Sequence, residues 1–273
     1  MSFDPAWLAL REAADRGARD VSLLRGAFDL LRRTEAPVIV DLGCGAGATR
    51  RAFGPGAGLG ARWRLVDRDP DLLDRAARDA GAAGEAHLLD LGDLDALPFD
   101  GAALVTCSAL LDLMARDWLE GLADRLAARR LGLYAALSYD GRMAWTPGPA
   151  PREAEVLAAF NGHQLRDKGL GPALGPQAAA ALAELLRARG YAVRLERSDW
   201  RLGAKAAALQ AALAKGVAEA AEECGCPEVE DWLQARLDAI TGGLSSALVG
   251  HLDLLALPET SSAQSKITSV SSP

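Results

Sequence analysis

The chain has 273 residues, half of them hydrophobic and a quarter charged, enough to bury one large core or two modest ones. A net charge of −7 and a pI near 5.1 argue against a general nucleic-acid binder, and the 26 arginines are interleaved with acids rather than clustered. Mean hydropathy is near zero, no apolar run approaches the roughly 20 residues of a bilayer span, and residues 1–10 lack a secretory signal pattern; the expectation is a cytoplasmic protein with no membrane or nucleic-acid partner.

Residues 5–33 read as helix, with Val21, Leu24, Phe28 and Leu31 at spacings of three and four and Asp20 placed to cap the second stretch. Residues 38–40 form a short buried strand candidate, followed by a glycine-rich turn at 43–47 and a short helical piece. Residues 64–67 read as a second strand, and Asp69-Pro70 caps a helix over 70–80 that Gly81 stops. Residues 86–89 and 102–107 read as the third and fourth strands. A helix over 115–129 then places Trp118, Leu119, Leu122 and Leu126 on one face, and residues 131–137 are the fifth strand.

Residues 141–175 break this rhythm, with Trp145, prolines at 147, 149 and 151, a short helix near 152–160 and a loop from Asn161-Gly162 onward. A helix over 177–189 leads to a sixth strand at 191–197. Residues 204–240 are helical apart from Cys224-Gly225-Cys226-Pro227, and residues 247–257 form the last strand. The alternation predicts an α/β fold: a doubly wound, Rossmann-like, seven-stranded and mostly parallel sheet with helical cover elements. The expected organisation is a helical cap over 1–35, a main domain over 36–258 with substrate-side excursions at 141–175 and 203–243, and a disordered serine-rich tail over 259–273.

The informative segment is Asp41-Leu42-Gly43-Cys44-Gly45-Ala46-Gly47. Glycines at a strand–helix turn let backbone approach a ligand, and the carboxyl end of a central strand is where doubly wound sheets bind one. Gly43, Gly45 and Ala48 also satisfy the dinucleotide spacing GxGxx(G/A). Asp41 opposes that reading, since a negative charge there repels a pyrophosphate and suits a cationic amino group.

This segment resembles motif I of the class I S-adenosylmethionine-dependent methyltransferases, and the resemblance continues in order along residues 36–140. It implies S-adenosylmethionine as cofactor, held by Asp41, Gly43, Cys44, Gly45 and Gly47 at the turn. It further implies Asp67, with its neighbour Arg68, on the ribose hydroxyls, and Asp90 with Leu91 at the adenine. Asp93, in Gly92-Asp93-Leu94-Asp95-Ala96-Leu97-Pro98-Phe99, is a rival for the adenine role. Cys107-Ser108-Ala109-Leu110 matches the motif IV region beside the donor sulfur, with Ser108 as a contact near the ligand. No GxSxG elbow surrounds Ser108, so a hydrolase reading fails.

Acceptor-side candidates come from the irregular regions. Tyr139 and Asp140 follow the fifth strand, and His163 stands among Asn161, Gln164, Arg166 and Lys168 as a base or substrate ligand, or as a histidine favoured by a helix C-terminus. Trp145 and Trp200 are pocket or packing residues, while His87 and His251 lie in strand patterns and read as structural. Arg16 or Arg19 is placed to meet the donor's methionyl carboxylate if the N-terminal helix folds over it. The lone CxC and scattered histidines predict no metal site and reduced thiols. The expected function is methyl transfer to a small-molecule acceptor. The alternatives are a non-catalytic donor-binding or assembly protein of the same fold, or an NAD(P)-dependent oxidoreductase. Oligomeric state has no signal in the chain.

Overall fold

A computed structural model describes residues 4–54 and 60–259; the expected tail beyond 259 lies outside the described residues. The N-terminal segment forms two helices, α1 (Pro5–Ala18) and α2 (Val21–Arg32), the second capped by Asp20 as expected. The break at Arg19-Asp20 arises because Asp20 turns its carboxylate onto the amides of Ser22 and Leu23, both at 2.9 Å, and so starts a new helix. Strand β1 (Val38–Leu42) leads through the glycine turn into α3 (Ala48–Phe53). β2 (Arg62–Asp67) is followed by α4 (Pro70–Ala80), whose Asp69 cap bonds the amides of Asp71 and Leu72 at 3.0 and 3.1 Å. β3 (Gly84–Leu88), β4 (Leu104–Ser108), α5 (Arg116–Arg129) and β5 (Gly132–Thr146) complete the first half.

The second half comprises α6 (Glu153–Gln164), α7 (Ala178–Arg187), β6 (Tyr191–Arg197), β7 (Trp200–Leu202), α8 (Ala207–Glu223), α9 (Val229–Thr241) and β8 (Ser246–Pro258). The sheet runs β3-β2-β1-β4-β5-β8-β6, with β7 paired to the far half of β8. β1 through β5 are parallel, and β8 is antiparallel to β5, β6 and β7. The strand order reverses at β1, which places the ligand crevice of a doubly wound sheet beyond the carboxyl ends of β1 and β4.

Three details of the expectation are corrected. The sheet has eight strands rather than seven, because three residues at Trp200–Leu202 extend the antiparallel edge and give too short a run to register as periodic. β5 runs to Thr146 instead of ending at 137, crossing two register shifts. One surrounds Leu137, at φ 58°, and the other Gly141, at φ 89°; bulges of this kind interrupt alternation and read as a strand end. Finally, Asn161, Gly162 and His163 lie in the last turns of α6 and not in a loop.

Apolar faces of α5 and α7 cover one side of the sheet, and α2, α3 and α4 the other. A third cluster, built on Trp145, Trp200 and Trp232, joins α6, α8 and α9 to the antiparallel edge. Asp253 of β8 stitches these layers together from a fully buried position. Its carboxylate accepts the Asp20 amide at 2.9 Å and the amide of bulged Leu137 at 2.8 Å, while the Tyr134 hydroxyl lies at 3.3 Å. Asp253→Ala strands these donors without water, so unfolding in urea should show a loss of about 3 kcal/mol; Asp253→Asn, which keeps an acceptor, should lose less.

Candidate functional site

The glycine turn is held open by backbone conformations that favour glycine. Gly43 and Gly45 adopt φ of 60° and 51°. The Cys44 amide bonds the Val66 carbonyl at 3.0 Å, locking the turn to the end of β2. Asp67, at that end, accepts the Gly45 amide at 2.7 Å through one oxygen and the Asp69 amide at 3.0 Å through the other. The carboxylate of the second strand therefore stands directly beside the turn of the first.

A cavity of about 270 Å³ opens here at the carboxyl edge of β1, β2 and β4. Gly43, Cys44, Gly45, Asp67, Arg68, Asp90, Leu91 and Ser108 all line it. Leu91 is fixed by the Trp118 indole, which donates to its carbonyl at 2.7 Å. Leu110, Leu113, Met114 and Leu170 supply an apolar wall. α1 forms the roof, with Leu8, Arg11, Glu12 and Asp15 facing in. A bidentate pair between Arg51 of α3 and Glu12, at 2.6 and 2.9 Å, fastens that roof to the helix after the turn.

Other expected site residues lie elsewhere. Asp41 is fully buried beneath the turn, where Thr106 donates to it at 2.8 Å; burial raises its pKa to about 7. Gly47 faces Ala76 of α4, so it serves helix packing and not the cavity. Asp93 caps its own loop through the Asp95 and Ala96 amides and Asp90 bonds the Gly92 amide at 2.8 Å, but of the two only Asp90 lines the cavity. Tyr139 points its hydroxyl at Asn161, at 2.8 Å. Asp140 is taken up by Arg142, which bridges onward to Asp199 at 2.6 Å. Neither of these two lines the cavity, and nor does His163.

Of the two N-terminal arginines, Arg16 is exposed and Arg19 is buried. Arg19 donates to the Ser108 hydroxyl at 3.0 Å, while its Nε and Nη1 have no partner among the described residues. His251 is buried against Trp200 and Tyr139, and desolvation lowers its pKa to about 3, so it stays neutral. Trp145 packs on Trp232 in the core, and Trp200 packs behind Arg11.

Two groups near the cavity were not singled out by the sequence pattern, Asp112 behind its wall and Lys168 on it. Asp112 sits in the 3-10 turn Leu111–Leu113, between wall residues Leu110, Leu113 and Met114. It is buried, one carboxylate oxygen has no partner among the described residues, and burial raises its pKa to about 6. Lys168 lines the cavity from the segment after α6. The signal for Asp112 was a lone acid inside the apolar run Ala109-Leu110-Leu111-Asp112-Leu113-Met114, a pattern that a solvated residue would not produce.

No family model matches the chain, and no curated protein sequence matches it. Among solved structures, the chain is similar to human N-acetylserotonin methyltransferase in complex with SAM, at 16% identity over 93% of this chain and 53% of that one, with TM-score 0.44. The chain thus spans about half the length of that protein. It is also similar to the YcgJ protein from Bacillus subtilis, at 17% identity over 88% of this chain and all (100%) of that one, with TM-score 0.48. A third is geranyl diphosphate C-methyltransferase from Streptomyces coelicolor, at 12% identity over 88% and 80% of the two chains, with TM-score 0.43. At these identities the likeness is one of chain arrangement and nothing finer.

Proposed function

We propose that the cavity holds S-adenosylmethionine and that the protein transfers the donor's methyl group to a small-molecule acceptor by in-line displacement. The observation that carries this reading is the convergence of Gly43, Gly45, Asp67, Asp90 and Ser108 on one cavity. They arrive from four different strand ends in the order the sequence resemblance implies. Their chemistry suits the donor: carboxylates for hydroxyls and an amino group, and an apolar wall for a purine. A dinucleotide suits the site less well. The Gly45 amide is already spent on Asp67, at 2.7 Å, and is not presented to a pyrophosphate.

Bound there, the donor supplies an electrophilic methyl group, so the protein's task is to orient an acceptor and exclude water. The apolar wall and the α1 roof do the second. Asp112, whose carboxyl burial raises to about pKa 6, stands behind that wall and not on the cavity surface. His163, Tyr139 and Asp140 are spent on bonds within the protein and act on this reading as supports.

Calorimetry with S-adenosylhomocysteine tests the donor site. Asp67→Ala should weaken binding by about 1–3 kcal/mol, the scale of charge-assisted hydrogen bonds, and unchanged affinity would refute the assignment. Incubation with methyl-labelled donor and a metabolite extract should place label on a small molecule; label-free products alongside tight donor binding would favour a non-catalytic role. The Asp112 environment predicts a pH signature. Its folded pKa of about 6 lies above the ordinary aspartate value of 3.8, so the contribution of this one group is fully present below about pH 4 and is lost as pH rises through 6. The melting-temperature advantage of Asp112→Asn should therefore grow between pH 4 and 7 and then level off. A pKa rise of this size corresponds to about 3 kcal/mol, and a pH-independent difference would contradict the buried charge.

A further inference from the structure

We infer that Lys168 is an anion-binding residue of the cavity, oriented by a His163–Glu223 pair behind it, and that its ligand is a carboxylate or phosphate group. The proposal rests on the donor reading of the cavity given above. His163 Nε2 lies 2.9 Å from the Glu223 carboxylate, and its Nδ1 lies 3.2 Å from Lys168 Nζ. A carboxylate can only accept, so Nε2 carries the hydrogen and Nδ1 is left to accept from the lysine. The ammonium thus spends one of its three N–H groups on a neutral ring nitrogen. No carboxylate within ion-pair distance neutralises it among the described residues.

The other cavity-lining cations are placed differently. Arg11 is bidentate to Asp15, at 2.9 and 3.2 Å, and Arg51 is bidentate to Glu12. Arg68 lies 3.8 Å from Asp90, and Arg75 is exposed on α4. Lys168 is half-buried and lines the cavity beside Leu170. The segment that carries it is also built to hold position. The Asp167 carboxylate accepts the amides of Gly169 and Gly171 at 2.7 and 3.0 Å, Leu170 packs over Gly92, and Arg166 donates to the Glu223 carbonyl at 2.6 Å. A half-desolvated ammonium held in place at the wall of a cavity attracts an anion.

Two sources could supply that anion: the donor's own carboxylate or an acidic acceptor. Calorimetry on the full chain distinguishes them, using wild type and Lys168→Met, with folding checked by circular dichroism. If the donor supplies it, Lys168→Met weakens S-adenosylhomocysteine binding about ten- to hundredfold and leaves 5′-methylthioadenosine, which lacks the carboxylate, unchanged. If the acceptor supplies it, both nucleosides bind as before. The wild type saturated with S-adenosylhomocysteine then takes up benzoate or phenyl phosphate, and Lys168→Met binds these at least tenfold more weakly. His163→Ala, which frees the lysine from its orienting nitrogen, should reproduce part of either loss. The proposal is overturned if Lys168→Met alters neither nucleoside and no lysine-dependent binding of benzoate or phenyl phosphate occurs. A wild type that binds neither nucleoside overturns the donor reading itself, and this inference with it.

Discussion

The buried guanidinium of Arg19 sits at the junction on which the rest of the site depends. The residue is only 6% exposed and falls at the break between α1 and α2. Burying an arginine is tolerable only where opposite charge surrounds it. Here its field reaches Asp41 on β1 and Asp253 on β8, and it donates to Ser108 on β4. One side chain therefore ties the N-terminal helices to three strands at the carboxyl edge of the sheet. With the junction pinned, α2 packs along one face of the sheet while α1 swings over the cavity as its roof.

This arrangement gives Asp41 a role different from the one its position in the glycine segment suggests. It is a fully buried carboxyl beneath the turn, hydrogen-bonded to Thr106 on the neighbouring strand, and the cavity surface is left to the residues above it. That surface follows a simple electrostatic rule. Its guanidinium groups at the roof and turn are matched by Asp15 and Glu12, while Asp67 holds the turn's amide and Asp90 stands nearby. Lys168 lines the cavity without an ion-pair partner among the described residues. On the proposed reading an anionic group meets Lys168, and the apolar wall shapes the pocket beside it.

The cover elements serve the same geometry from behind. α6 and α8 meet through His163, Arg166 and Glu223, and the third hydrophobic cluster roots both on the antiparallel edge. Asn161 takes the Tyr139 hydroxyl, so β5, α6 and the Lys168 segment are held together. Polar residues whose sequence pattern suggested chemistry are used here to fasten a cover.

What the sequence alone determined is local. The caps at Asp20 and Asp69, the glycine turn, the alternation of strand and helix, and the acids at the ends of β2 and β3 all depend on near neighbours in the chain, so short spacings reveal them. The length of β5 and the existence of β7 were not legible, because a bulged strand and a three-residue edge strand are specified by their pairing with β8 and not by their own pattern. The same holds for the site. Asp67 could be picked out from its place at a strand end, but Asp90 and Asp93 both accept amides of their own loop, and only the packed structure puts Asp90 on the cavity. Lys168 in place of His163, and Asp112 from within an apolar run, were decided by contacts between residues distant in sequence, since burial and hydrogen-bond partners belong to the packed molecule and not to any segment of it.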